Sequence, residues 1–348
     1  MFINPYKGID LLKGYQRVNF HTHAGTGPNT CGSIALDDVI SEYQRLGYGG
    51  LCISNHNRYT DPTAYQNRYD LCLLDGYEYT VKNTHMLCIG TKQVVLNSPQ
   101  DAINSAINDG GFAIICHPNW KFDWSFPKDL LDTLHGFVGI EIYNGSIDTG
   151  PVWNREGSNG RCNAPEAFDY LLSSGRLCWC FGNDDFHRWW YLGRAWNMVF
   201  SDRTREGIAA SVKKGAFYVS TGLILENFEL KQNCLYVKAR NSDAYHDTYQ
   251  YRFIGKDGKI LQRCSASESQ FVLSEDELYV RVEVMNTAGK MLYTQPVYSD
   301  AVFIAILQIT AHNQRHENNL YNPTHESGQM LLEWVYLKYR CQVCAVFF

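Results

Sequence analysis

The chain has 348 residues, of which 45% are hydrophobic and 19% charged, and its formal net charge is -5. That length exceeds what one ordinary core organises, so a large domain followed by a smaller one is expected. The slight negative charge supplies no basic field for gripping a phosphate backbone, which argues against nucleic acid as a main partner.

The N-terminal stretch "MFINPYKGIDLLKGYQ" lacks the basic start and apolar run of a secretory signal. No stretch approaches the ~20 apolar residues of a spanning helix, so a soluble, cytoplasmic protein with no membrane partner is expected. The 12 cysteines are thinly spread, and several sit inside apolar runs such as "LCIS", "LCLL", "LCIG" and "IICHP", as small buried hydrophobes do. "CQVC" at Cys341 to Cys344 has no second pair or nearby histidines, so it reads as structural. Oligomeric state is not legible.

From Arg17 to about Gly222, short β-rich apolar runs alternate with amphipathic segments. The strand-like runs are "RVNFHTH", "GGLCISNH", "DLCLLDGYEYT", "HMLCIG", "FAIICHP", "FVGIEIYNG", "LCWCFGNDDFH" and "AFYVSTG". Between several of them lie "LDDVISEYQRLG", "SPQDAINSAINDGG", "APEAFDYLLSSGR" and "TREGIAASVKKG", each ending on or near a glycine, as helix C-termini commonly do. Repeated strand-helix units with near-continuous apolar strands predict a parallel sheet covered by helices, open or closed into a barrel. In either form chemistry gathers at the C-terminal ends of strands.

After Gly222 the texture changes to alternating apolar and polar residues with turns at "KDGK" and "NTAGK", which predicts antiparallel hairpins in a small β-sandwich. The expected organisation is therefore residues 1–222, residues 223–304, and a tail over 305–348 of uncertain structure. In that tail a polar stretch holding His312, His316 and His325 precedes an apolar end, and those histidines fit no ligand spacing.

The polar residues of the first region fall at strand ends. His21 and His23 end the first run, spaced so that a strand directs both to one face. His56 ends the second run, Glu78 the third, His85 begins "HMLCIG", His117 ends "FAIICHP", and Asp185 with His187 end "LCWCFGNDDFH". A lone His-x-His is most often a hydrogen-bonded surface or core pair. Six of the eleven histidines and two acids gathered at strand ends instead predict a site for Zn, Mn or Fe, since imidazole and carboxylate suit these metals and a shared carboxylate can hold two ions.

The motifs "HTH", "SNHN", "GYEYT…HMLCIG", "CHPN" and "DFH" resemble, in order, those of the polymerase and histidinol phosphatase (PHP) superfamily of metal-dependent hydrolases. "GIEIYNG", "KKGAFYVSTG" and "QPVYSDAVFI" are similar to its CehA/McbA-type branch, and the likeness covers about residues 17 to 304. The resemblance implies a distorted seven-stranded β/α barrel followed by a β-sandwich. It further implies that His21, His23, Glu78 and Asp185 bind one divalent metal, that Glu78 bridges to a second held by His85 and His117, and that His56 and His187 match residues serving a third. Two features depart from the pattern: neutral Asn55 precedes His56, and "AGTGPNTCG" has no acid. Two ions are thus expected, with a third bound weakly if at all. His56 and His187 are then free to act as catalytic proton donors.

Other residues near the motifs have two readings each. Arg58 is a candidate clamp for an anionic substrate group or an exposed loop residue, and Asn144, with Glu141, lines the pocket or caps a loop. Trp189 and Trp190 wall the substrate or pack, while Asp184 supports the site from behind. The chemistry the resemblance implies is hydrolysis of a small-molecule phosphate ester through a metal-activated water. Hydrolysis of a carbamate or carboxylic ester is the alternative, and a non-catalytic, metal-stabilised binding module is a third reading.

Overall fold

A computed structural model describes residues 2–299, apart from 29, 32, 33, 83, 121–125, 150–162 and 243–246. The expected tail over 305–348, with Cys341 and Cys344, lies outside the described residues.

In chain order the strands of the first region are β1 (Phe2–Ile3), β2 (Tyr15–Asn19), β3 (Tyr48–Cys52), β4 (Cys72–Leu74), β5 (Gly76–Val81), β6 (Thr84–Ile89), β7 (Phe112–Ile115), β8 (Gly139–Asn144), β9 (Trp179–Asn183), β10 (Trp196–Phe200) and β11 (Phe217–Ser220). The helices among them include α1 (Leu36–Arg45), α2 (Thr63–Gln66), α3 (Pro99–Asn108), α4 (Lys128–Thr133), α5 (Gly145–Thr149), α6 (Pro165–Ser173) and α7 (Arg205–Lys213). Local chemistry starts several of them. Ser98 and Thr204 cap α3 and α7 by accepting from the backbone N–H three residues on, and α6 opens on Pro165. The second region comprises β12 (Leu223–Lys231), β13 (Cys234–Asn241), β14 (Tyr249–Ile254), β15 (Ile260–Ala266), β16 (Glu268–Val272), β17 (Tyr279–Met285), β18 (Met291–Tyr293) and β19 (Val297–Ser299).

The expected barrel is not formed. Strand accounts for 38% of the structure and helix for 21%, too little helix to sheathe a β/α barrel, and the strands divide among separate sheets with no closure. One five-stranded sheet runs β5-β6-β7-β8-β9, a larger one carries β10-β2-β3-β4 at one end of its order, and β12-β13-β16 form a third. Two local causes open the circle. The run "DLCLLDGYEYT" breaks at Asp75, so β4 and β5 join different sheets. Between β9 and β10 a side chain stands where a ladder would run: Asn197 accepts from the Gly182 N–H (3.1 Å) and donates to the Gly182 carbonyl (2.8 Å).

Nor is the sheet uniformly parallel. β2-β3-β4 and β7-β8-β9 are parallel, but β5-β6, β6-β7, β2-β10 and β10-β11 are antiparallel. The second region is antiparallel, as its alternation predicts, yet its sheet continues across residue 222 because β18 pairs with β11. A buried ion pair adds to that junction: Arg281 on β17 makes two 2.7 Å hydrogen bonds to Asp169 of α6.

The core beneath the parallel strands is apolar and aromatic. Phe20 meets Phe112 and Phe181 edge to face, at 5.6 and 5.9 Å between ring centres. Cys52, Cys72, Cys88, Cys116, Cys178 and Cys180 are buried free thiols. No helix among the described residues is long and apolar enough to cross a membrane.

Candidate metal centre

Just beyond β2 the chain leaves its strand but is held by reciprocal bonds: His23 donates its N–H to the Phe186 carbonyl (2.9 Å) and Phe186 donates back to that of His21 (3.3 Å). Ser54, after β3, donates to the Thr22 carbonyl (2.8 Å). These ties place His21, His23, His56 and the Asp185–His187 segment together over the strand ends. The β5-β6 hairpin brings the rest. Thr80 faces His85 across it, so Glu78, two residues from Thr80 on the same face, is the diagonal neighbour of His85.

Glu78 stands at the centre. Its Oε1 lies 2.7 Å from His85 Nδ1 and 3.6 Å from His117 Nε2, while Oε2 lies 2.6 Å from His56 Nδ1, 3.4 Å from His23 Nε2 and 3.6 Å from His21 Nε2. Asp185 Oδ1 sits 3.1 Å from His21 Nε2, 3.2 Å from His23 Nε2 and 3.4 Å from His187 Nδ1. All six residues expected as metal ligands are therefore brought together, with His56 and His187 beside them.

Five buried atoms in this group have no hydrogen-bond partner among the described residues: His21 Nε2, both nitrogens of His23, Glu78 Oε2 and Asp185 Oδ1. Lone pairs and carboxylate oxygens that converge without hydrogen-bond geometry are costly unless a cation lies among them. Five groups among the described residues have their ligand atoms mutually within 4.8 Å: His21, His23 and Asp185; His21, Glu78 and His117; His56, Glu78 and His85; His23, His56 and His187; and His21, Cys116 and Glu141. Such buried His, Glu and Asp groups fit a metal ion.

The electrostatics agree. Burial opposes charge on Glu78, but His85, His56 and His21 outweigh it and hold the carboxyl well below its ordinary range. Asp185 is likewise held low, its burial outweighed by His21 and His187. Burial, with His187 beside it, pushes His23 well below the ordinary imidazole value, which leaves it neutral and able to ligate. For His56 burial is outweighed by Glu78 and Cys31, which raise it to about 10. A bound cation would take the place of the imidazolium protons that balance these anionic carboxylates.

Backbone strain is present here, as it is at several turns elsewhere. His117 (φ 23°), Asp185 (φ 49°) and Cys31 (φ 50°) all sit at positive φ without being glycine, a conformation that costs of order 1–3 kcal/mol and gathers at functional sites.

A cavity of about 270 Å³ opens over the centre, lined among others by His56, Glu78, His85, His117, Asp185, His187, Trp120, Tyr191, Arg188 and Cys31. Arg58 does not reach it. The Arg58 guanidinium donates to the Pro28 carbonyl (2.7 Å) on the exposed surface, so the expected substrate clamp is directed elsewhere. Asn144 is buried behind the carboxylates, donating to Glu141 Oε2 (3.0 Å) and Asp185 Oδ2 (3.2 Å), so it positions them and does not meet a substrate. Trp190 lines the cavity, whereas Trp189 packs on Phe186. Asp184 accepts from the N–H groups of Gly193, Arg194 and Ala195 and from the Tyr43 hydroxyl, which fixes the following loop.

Asn55 also turns away from the centre. Its amide accepts from the Ala24 N–H (3.1 Å) and donates to the Ala24 carbonyl (2.9 Å) and Thr60 Oγ1 (2.7 Å). Sequence reasoning missed Cys31 and Trp120 and gave Glu141 a pocket-lining or capping role rather than that of a partner to His21. Glu141 Oε1 in fact receives His21 Nδ1 and Asn183 Nδ2, both at 2.9 Å. The only signal for Glu141 was its place on an apolar strand, and Cys31 carried none beyond its nearness to "HTH". The chain matches no family model and no curated protein.

Proposed function

We propose that the protein is a metal-dependent hydrolase acting on a small phosphate ester, with two divalent transition metals sharing Glu78. The observation that carries this reading is the set of unpartnered, fully buried nitrogen and oxygen atoms converging between Glu78 and Asp185 at the floor of an open cavity. The order of motifs similar to the PHP superfamily supports the same reaction class.

Bound metals would supply the Lewis acidity that makes a water nucleophilic near neutral pH and would neutralise charge on the substrate oxygens. The protein's residues do the rest. Glu141 holds His21 through Nδ1 and so aims Nε2 inward, the outer-shell arrangement that fixes a ligating imidazole. The Asp185 carbonyl accepts from His187 Nδ1 (2.8 Å) and does the same for that ring. His56 and His187 line the cavity, where they would offset charge on a leaving group by donating a proton or by holding a further cation. Arg188, the one guanidinium among the described cavity-lining residues, suits the charge of a phosphate. Trp120 and Tyr191 exclude water from the wall.

A panel of phosphomonoesters, phosphodiesters and aryl carbamates, turned over with Mn or Zn, tests the proposal. Phosphate ester turnover that a chelator stops is the expected result. Metal-dependent turnover of carbamates alone would move the substrate class, and no turnover with any substrate while metal is bound would remove the enzyme reading.

A further inference from the structure

We propose that a cavity bounded by β2, β10 and the start of β12 binds a small organic monocarboxylate with an apolar body, with Arg17 holding the carboxylate.

The cavity has a volume of about 320 Å³, and none of its lining residues also lines the cavity over the metal centre. Strand register builds its polar corner. Arg17 on β2 pairs with Met198 of β10 on one side and with Tyr48 of β3 on the other. The Arg17 guanidinium therefore lies over aromatic rings, 4.2 Å from the centre of Trp196 and 5.4 Å from that of Tyr48. Leu223 and Ile224, where β12 begins, add apolar wall from the second region, beside Trp196 and Met198.

Charge selects the ligand. Two arginines, Arg17 and Arg203, line the cavity, and no aspartate or glutamate does. Arg203 already has a counter-charge in Asp70, 2.7 Å away. Half-buried Arg17 has no acidic partner among the described residues, and its hydrogen bond runs from Nη1 to the Leu46 carbonyl (3.0 Å). Leu46 is the C-cap of α1, so that donor answers the helix end. The Nε–Nη2 edge of the guanidinium is left without a protein acceptor, and two parallel N–H donors match the two oxygens of one carboxylate. One uncompensated positive charge suits a monoanion. The adjoining apolar side chains suit a hydrocarbon body, the usual make-up of a site for an organic ligand and not for a bare ion.

The test is calorimetric titration of the full chain with octanoate, octanol and inorganic phosphate, each with and without zinc. Octanoate should bind at one equivalent with the same affinity in both conditions, and octanol and phosphate should each bind at least about tenfold more weakly, as loss of a charge-assisted contact or of the apolar contact implies. Arg17→Met should weaken octanoate by about tenfold or more. Ser242→Glu, at an exposed position in the same lining, adds a carboxylate without removing a core contact and should weaken it likewise, so the test stands even if Arg17→Met does not fold. Circular dichroism checks the fold of each variant. The proposal is overturned by absence of octanoate binding, by wild-type affinity in Ser242→Glu or in folded Arg17→Met, or by octanol or phosphate binding as tightly as octanoate. Octanoate binding that appears only with zinc would place the anion at the metal centre and overturn it too.

Discussion

Glu141 Oε1 lies 2.9 Å from His21 Nδ1, and both side chains are fully buried at the back of the metal centre. Glu141 receives three further donors: Asn183 Nδ2 on the same oxygen, and the His117 N–H and Asn144 Nδ2 at 3.0 Å on the other. One carboxylate thus sets the orientation of His21 and His117 and touches the chain of Asn144 and Asp185. Glu141→Gln keeps the volume but turns an NH2 toward two donors. Metal affinity, measured by chelator competition, should fall by about 10–100-fold, the usual effect of disturbing such a partner. Unchanged affinity with an intact fold would mean that His21 needs no such orientation.

Asn55→Asp should weaken the fold without strengthening any metal site. The amide donates to the Ala24 carbonyl and Thr60 Oγ1; a carboxylate could accept from the Thr60 hydroxyl instead but cannot donate to the buried carbonyl. Leaving buried groups unpaired costs about 1–3 kcal/mol. A denaturant midpoint lowered in proportion, with metal content equal to wild type, is the expected outcome. A gain of one metal equivalent in this variant would show that the side chain can rotate toward the centre.

How far the sequence foretold these features depended on how local each was. His21, His23, His56, Glu78, His85, His117, Asp185 and His187 were legible because ligand types recur at the ends of apolar runs, and a strand end has a definite position in any α/β sheet. Sheet closure was not. Whether β9 pairs with β10 depends on the Asn197 amide, fourteen residues beyond Asn183, taking both backbone groups of Gly182, and no periodicity encodes that. Strand direction in the β5-β6-β7 segment was hidden because buried antiparallel and parallel strands have similar apolar texture. Arg58 shows the limit of reading a charge by its neighbours: two residues from His56, it bonds to Pro28 instead of facing the cavity.

Metal should act as a folding ligand. Among the described residues the unpartnered atoms at Glu78, Asp185, His21 and His23 are unfavourable without a cation, and the unfolded chain does not assemble them. At a free metal concentration 100 times Kd, stability should rise by about 2.7 kcal/mol, and Glu78→Gln should remove most of that gain. Urea unfolding with and without zinc is the measurement. A midpoint indifferent to metal would argue that these residues are held together by protons alone.

A buried ion pair ties α6 to β17. Arg281 is 2% exposed and is held by Asp169 through two 2.7 Å bonds and by Glu283 through one of 2.6 Å, while the Tyr279 hydroxyl also donates to Asp169 (2.9 Å). Removing one partner of a buried pair typically costs about 3–5 kcal/mol, because the remaining charge stays desolvated. Asp169→Ala should therefore lower stability by about that amount. None of these residues lines the cavity over the metal centre, so turnover per folded molecule should stay near wild type. Replacing both partners, as Asp169→Leu with Arg281→Met, should recover much of the loss, since two apolar side chains leave no charge behind. Glu283 would then keep Arg252, 3.7 Å away, as its counter-charge. If the double variant proved less stable than Asp169→Ala, the arginine would be stabilising the junction through Glu283 and its packing on Phe168 rather than through Asp169.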